Sequence, residues 1–425
     1  AESYPAEITH PIELATLHAL TWLLVACAVG LLLALLLLVP GLNAALGPLT
    51  YGRWMPLHLN LALYGWTALP LVALLFRAFL SGAGTSTVRA AEWTVQAWSA
   101  SLLVGAVAWL AGETSGKAFL DWEGVGRAAF LLNLAFLASV LGAGLLDRAR
   151  AGAPCEAICG LAALWTGLLA VPAGMALASS PGTYPPVNPA TGGPTGSSLL
   201  GSTLAVIVIF AITPLLLGLW DGTQKRAAVE VFGALAVHGA FFAAMASGDH
   251  SHREPLQIVA VATLLVWAWL LPRWLRRFEW PAGSRPWLAA FLAWGGALLA
   301  SAVPMFLPGL LDRIKFTNAL VGHAHLAMAG MATSFVALLL VVLNRGTRLA
   351  GVLDDRPAFL LWNVGNAVHV AVLVAAGALE AGDPGVVFRG DLSITALYAV
   401  RALAGAAMLA AAARWVARAV HRETA

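Results

Sequence analysis

Ten histidines are scattered through a chain of 425 residues in which 60% of the residues are apolar and only 11% are charged. An imidazole in such surroundings is costly unless it ligates a metal, relays a proton or hydrogen-bonds to the backbone. The most informative spacing is Val321-Gly322-His323-Ala324-His325-Leu326. Two residues along a helix is about 200° of rotation, so these side chains point to nearly opposite faces and cannot easily share one ion. They can serve two different sites, one on either side of the same helix. The plainer alternative is a histidine pair bonded to backbone at a helix start. His58 lies in Met55-Pro56-Leu57-His58-Leu59-Asn60. Asp249, His250, His252 and Glu254 place four candidate ligands within six positions, and carboxylate with imidazole suits iron or copper. Convergence would require the helix to break after Asp249, and a solvated surface loop fits the same spacing. His238 reads as a core histidine with a hydrogen-bond partner. His10 and His421 lie near the ends and read as exposed, while His18 and His369 fall inside apolar runs with no evident partner.

The elements that position these residues are apolar runs long enough to cross a bilayer, which takes roughly 20 residues each. Twelve are legible: Leu14–Val39, Met55–Leu80, Trp93–Leu110, Ala128–Leu146, Ile158–Leu177, Leu199–Leu219, Val229–Ala246, Leu256–Leu275, Trp287–Leu307, Ala319–Leu343, Phe359–Leu379 and Ile394–Val416. Backbone amides cannot be left unpaired in lipid, so the expected fold is an all-α integral membrane bundle of about twelve helices. The whole chain reads as a single transmembrane domain. The eighth run is the weakest, because Arg273, Arg276 and Arg277 crowd its end. A polar, acidic leader from Ala1 to Glu13 has no basic n-region, so the first run reads as a retained helix.

Loops after the even runs carry Arg89, Arg148, Arg150, Lys225, Arg226, Arg273, Arg276, Arg277, Arg285, Arg345, Arg348 and Arg356, about twice as many as the loops after odd runs. The positive-inside rule therefore puts both termini and the even loops of this multi-pass protein in the cytoplasm. The odd loops face outward, including the Pro/Gly-rich stretch 180–198. On this topology the second and tenth helices both enter from the outer surface, so His58 and His325 sit at similar depth. A haem iron takes axial ligands from two imidazoles, and a bis-histidine haem between two helices needs this arrangement. Three cysteines are too few for a disulfide framework, and no C-x-x-C-H attaches a c-type haem. Cys155 and Cys159 read as small residues at a helix end. No basic stretch with interleaved aromatics suggests nucleic acid. Trp22, Trp54, Trp66, Trp93 and Trp280 read as interface anchors or cofactor packing.

Four segments carry a resemblance: RWMPLHLNLALYGW, GETSGKAFLDWEG, FTNALVGHAHLAMAGM and YAVRALAGAAMLAA. With the twelve runs, they make the chain resemble the main subunit of haem–copper oxidases, closest to the branch of C-type oxidases and bacterial nitric oxide reductases. The resemblance implies that His58 and His325 ligate a low-spin b-type haem and that His323 is the axial ligand of a second haem. It also implies that Lys117, Asp121 and Trp122 lie near the haem propionates, where such proteins often hold calcium. The H-x-H helix is its most specific part.

The family's reducing centre also needs a copper or iron held by three histidines, one from the sixth helix and a His-His pair from the seventh. Here the sixth-helix region reads Gly196-Ser197-Ser198-Leu199-Leu200-Gly201-Ser202-Thr203, with Ser202 where the ligand belongs, and the pair appears as Asp249-His250. The seventh run offers Phe241 and Phe242 in place of a tyrosine, and Leu199–Leu219 contains no acid. The copper centre is therefore expected to be missing. The leading expectation is a membrane subunit carrying one or two b-type haems, exchanging electrons with a periplasmic cytochrome c type partner, a quinol or another membrane redox subunit. Its haems would lie toward the periplasmic side. Two alternatives stand beside it: a nitric oxide or oxygen reductase using a non-standard metal site at Asp249, His250 and His252, and a scaffold subunit with one haem or none.

Overall fold

The computed structural model describes residues 6–183, 199–245 and 253–424. Among them every regular element is helical, with no strand. Twelve helices are long and apolar enough to cross a membrane: α1 Ile8–Leu38, α2 Tyr51–Phe79, α3 Thr85–Ala111, α4 Gly124–Arg150, α5 Cys155–Ser179, α6 Leu199–Leu216, α7 Lys225–Met245, α8 Pro255–Leu275, α9 Ala282–Phe306, α10 Asn318–Leu343, α11 Arg356–Gly382 and α12 Leu392–Arg422. The chain is thus an all-α, twelve-helix membrane bundle.

Each helix matches one apolar run of the sequence, and the differences have local causes. The first helix extends well before Leu14 because Glu13 is not solvated. Its carboxylate accepts from the Arg348 backbone N–H at 2.7 Å and from the guanidinium at 2.9 Å, so a buried charge is carried as a pair. The fifth span breaks at Ala170, one residue before a segment with Pro172 in its first turn. Proline is tolerated there because the first N–H groups of a helix have no intrahelical partner. The eighth span is continuous despite its crowded end, with a 3₁₀ turn at Thr263–Val266.

Two spans are set apart by burial. The most apolar windows of α2 and α10 are 61% and 67% buried, against 44% or less for the other ten. These are the helices that carry His58 and His325. They contact each other at the centre of the bundle, while α12 packs against both α1 and α11 and α9 packs against α10. Their central contact is fixed by Trp66, whose indole N–H donates to the Thr333 hydroxyl at 3.0 Å. Phe335 on α10 packs edge-on to Phe210 of α6, ring centres 4.6 Å apart.

Both central helices widen into a π-helical segment just beyond their histidines: Leu61–Thr67 in α2 and Leu326–Ala332 in α10. Each is closed by a threonine whose hydroxyl donates to a carbonyl five residues back, Thr67 to Ala62 and Thr333 to Met328. Each also contains a glycine against which a neighbouring tryptophan lies. A Cβ at Gly65 would sit 2.5 Å from Trp22 Cβ, and one at Gly330 would sit 2.8 Å from the Trp294 ring. Single π turns inside α-helices recur at functional sites because they re-aim the side chains around them.

Candidate functional site

His58 is the eighth residue of α2 and His325 the eighth of α10. With a rise of about 1.5 Å per residue, each lies about 10 Å inside its helix start. The equal depth expected from the sequence is realised, and the two rings face one another. Their centres are 6.4 Å apart and their planes differ by 22°. That is too wide for the contact of stacked faces, about 3.5–4 Å. Two imidazoles on one metal, with bonds of about 2 Å and about 1.1 Å from each nitrogen to its ring centre, stand about 6.3 Å apart. The separation therefore fits one metal held between them.

Hydrogen bonding fixes which nitrogen of each ring is available. His58 Nδ1 lies 2.8 Å from the Ala26 carbonyl of α1, and His325 Nδ1 lies 2.9 Å from the Val321 carbonyl one turn back on α10. A carbonyl only accepts, so each Nδ1 carries the proton and donates. Each Nε2 is left with its lone pair, which is the form a metal-ligating histidine takes. Gly30, one turn beyond Ala26 on α1, completes the seat for His58: a Cβ there would fall 2.7 Å from Cε1 and 3.0 Å from Nδ1 of the ring. Only a residue without a side chain allows α1 this close.

His323 points elsewhere, as its offset from His325 requires. Its Nδ1 is 2.9 Å from the Ser301 hydroxyl of α9, and that hydroxyl in turn donates to the Leu298 carbonyl at 2.8 Å. The serine has one proton, already committed to Leu298, so its oxygen accepts from His323 Nδ1–H. Nε2 of His323 is again the lone-pair nitrogen. His323 and His325 thus lie on opposed faces of α10, His58 of α2 stands opposite His325, and each of the three has its Nδ1 engaged.

His369 of α11 is the residue that sequence reading left without a role. It is buried, its ring centre is 4.6 Å from that of His325, and neither ring nitrogen makes a well-formed hydrogen bond, the nearest polar backbone being that of Arg401. Its position could not be foreseen from a 3.6-residue period, because α11 is apolar on most faces. Arg401 of α12 adds a buried positive charge within electrostatic reach of His58, His325 and His369. Its guanidinium donates to Asn318 at 3.1 Å, and the Asn318 backbone N–H donates to the buried carboxylate of Glu380 at 2.7 Å. The Asn318 side-chain amide also donates to Glu380. This polar network ties together the ends of α10, α11 and α12 nearest the histidines.

Lys117, Asp121 and Trp122 form a separate cluster in the loop between α3 and α4. Asn60 donates to Asp121 at 2.8 Å. Since Asn60 is two residues past His58, this loop lies against the opposite face of α2. Thr114 donates to the same carboxylate at 2.9 Å. Burial pushes the Asp121 carboxyl up, against the hydrogen bonds from Asn60 and Thr114 that pull it down. Lys117 is fully buried, and its ammonium donates to the carbonyls of Ala178 and Ser180 at 2.7 and 2.9 Å, pinning the loop to the end of α5. Trp122 stacks on Phe130, ring centres 4.3 Å apart, and meets Tyr64 edge-on.

His238, His18 and His10 are accounted for locally. His238 bonds the Ala234 carbonyl at 2.8 Å and lies 3.3 Å from that of Thr263, as expected of a core histidine. His18 and Trp22 share the Ser99 hydroxyl, and the exposed His10 pairs with Glu92 at 2.7 Å. Ser202 donates to the Leu199 carbonyl at the start of α6. Asp249, His250 and His252 lie outside the described residues, as does most of the 180–198 loop. Among the described residues no three His, Cys, Asp or Glu side chains gather as metal ligands. The chain matches no protein-family model and no curated protein sequence.

Proposed function

We propose that the protein is a b-type haem-carrying membrane subunit that passes electrons, with His58 and His325 as the two axial ligands of a low-spin haem. The observation that carries this reading is the pair of facing rings, 6.4 Å between centres, each with Nδ1 committed to a backbone carbonyl. His58 and His325 would hold the haem between them, and it would supply one-electron chemistry there. The chain's part is to hold the two imidazoles and to set the potential. Arg401 favours the less positive, reduced state of an iron near it. Its partial neutralisation through Asn318 and Glu380 limits that bias.

His323, oriented through Ser301, is the ligand available to a second haem on the opposite face of α10. If such a haem is five-coordinate, it can bind a gas. Reduction of nitric oxide or dioxygen would still need a further metal, for which the sequence offers only the Asp249, His250 and His252 segment. Electron transfer, with a cytochrome c type or quinol donor on the outer side of a bacterial inner membrane, is accordingly the favoured role. A carbon monoxide difference spectrum of the dithionite-reduced protein tests it. A reduced b-type spectrum that does not respond fits electron transfer alone, whereas a carbon monoxide band overturns that restriction and assigns an open haem to His323.

A further inference from the structure

At the end of the bundle opposite His58 and His325, three guanidiniums from three elements line one cavity. Arg276 follows the last residue of α8, Arg285 opens the long helix Arg285–Ala302 of α9, and Arg345 lies just past α10. The cavity has a volume of about 680 Å³ and is also lined by Glu279, Trp280 and Leu288. An adjoining cavity of about 420 Å³ shares Arg276 and adds Arg273, Arg277 and Trp269. Five arginines therefore line these two cavities, and Glu279 is the one acidic residue lining either of them.

These arginines differ from their neighbours at the same end of the bundle. Arg348 pairs with Glu13, Arg414 with Asp355, Arg148 donates to the Ser81 carbonyl and Arg77 to that of Leu217. Arg276, Arg277 and Arg345 bond through their backbone, but among the described residues none of the guanidiniums of Arg273, Arg276, Arg277, Arg285 and Arg345 forms an ion pair or a hydrogen bond. Clustered like charges of this kind raise the energy of the fold unless an anion joins them. A planar guanidinium matches phosphate oxygens in a two-point contact, which suits it to that class of anion.

The level of the cavity selects the source of the phosphate. Arg273 lies over the Trp269 ring, 4.7 Å from its centre, and Trp269, near the end of α8, is 57% exposed. An exposed tryptophan beside an arginine at a helix end marks the headgroup layer. Trp280 walls the cavity while its own N–H is satisfied by the Leu275 carbonyl at 2.7 Å. We propose that this arginine cavity binds the phosphate groups of an anionic phospholipid, a doubly charged diphosphatidylglycerol headgroup fitting its charge and size best.

The test uses the full chain in detergent and counts lipid adducts by native mass spectrometry during titration with diphosphatidylglycerol or with phosphatidylcholine. The expected result is saturable binding of the anionic lipid only. Each of Arg276→Gln, Arg285→Gln and Arg345→Gln should weaken it by about fivefold, and the triple variant by about a hundredfold. Arg226→Gln, at the same end but paired with Glu230, should leave it unchanged. Millimolar inorganic pyrophosphate should not displace the lipid. Equal binding of phosphatidylcholine, or unaltered binding by all three single variants, would overturn the proposal. Displacement by pyrophosphate would also overturn it, by assigning the cavity to a soluble phosphate.

Discussion

Gly30 offers the sharpest test of how the first helix seats His58. In Gly30→Ala the new Cβ falls 2.7 Å from Cε1 of the imidazole, about 1 Å inside ordinary van der Waals contact. The ring cannot yield freely, because its Nδ1 is tied to the Ala26 carbonyl on the same helix. Relief requires the ring to turn away and lose that bond. Overpacking costs about 1–3 kcal/mol, and the lost hydrogen bond about 0.5–1.5 kcal/mol. Ligation would have to restore the crowded position, so the cost falls on haem binding, where about 2–4 kcal/mol is roughly a 30- to 1000-fold loss of affinity. The assay is titration of haem into the haem-free protein, read by the Soret band and by the reduced α-band of the low-spin form. Gly142→Ala is the control, since its Cβ meets Trp165 at 3.0 Å in a part of the bundle remote from His58. If Gly30→Ala binds haem like the parent while both variants lose equal thermal stability, the proposed seat is wrong.

Three further outcomes follow from the same geometry. Ser301→Ala removes the acceptor that orients His323; occupancy of a second haem should fall about tenfold or more with the low-spin spectrum intact, and loss of the low-spin spectrum instead would contradict the assignment of opposed faces. His369→Leu removes two buried polar atoms that make no well-formed hydrogen bond, so thermal unfolding of the haem-free protein should show a gain of about 1–3 kcal/mol; a loss would mean that a partner such as the Arg401 backbone holds the ring. Asp121 has its carboxyl pushed up by burial, so the stability it contributes is complete below the unfolded value of about 3.9 and is lost as pH rises through the folded value. Asp121→Asn should therefore match or exceed the parent's melting temperature at neutral pH, with the difference shrinking in acid. A lower melting point at neutral pH would indicate a cation on the carboxylate and favour calcium there.

Much of the scaffold could be read from the chain because lipid leaves few options. Runs of about 20 apolar residues must be helices, so twelve spans and the equal depth of His58 and His325 follow from counting. The opposed directions of His323 and His325 follow from helix geometry alone, and their separate partners, Ser301 and His58, agree with it. What could not be read depends on long-range fit. Glu13 looks like part of a polar leader until Arg348 is placed beside it, 335 positions away. The π segments after both histidines leave no mark in hydropathy, because an added residue per turn changes neither composition nor run length. His369 is one histidine in an apolar helix, and only the packing of α11 on α10 brings it to His325. Lys117 is a lone charge in a loop whose partners, the Ala178 and Ser180 carbonyls, have no side-chain signature.

The central claim is that His58 and His325 together hold one low-spin haem. The direct measurement is the reduced-minus-oxidised spectrum of the purified protein beside His58→Ala and His325→Ala, each checked for folding by its unfolding transition. The account predicts a b-type α-band in the parent and its loss in both folded variants. A haem-free parent, or an unchanged α-band in either variant, would contradict it.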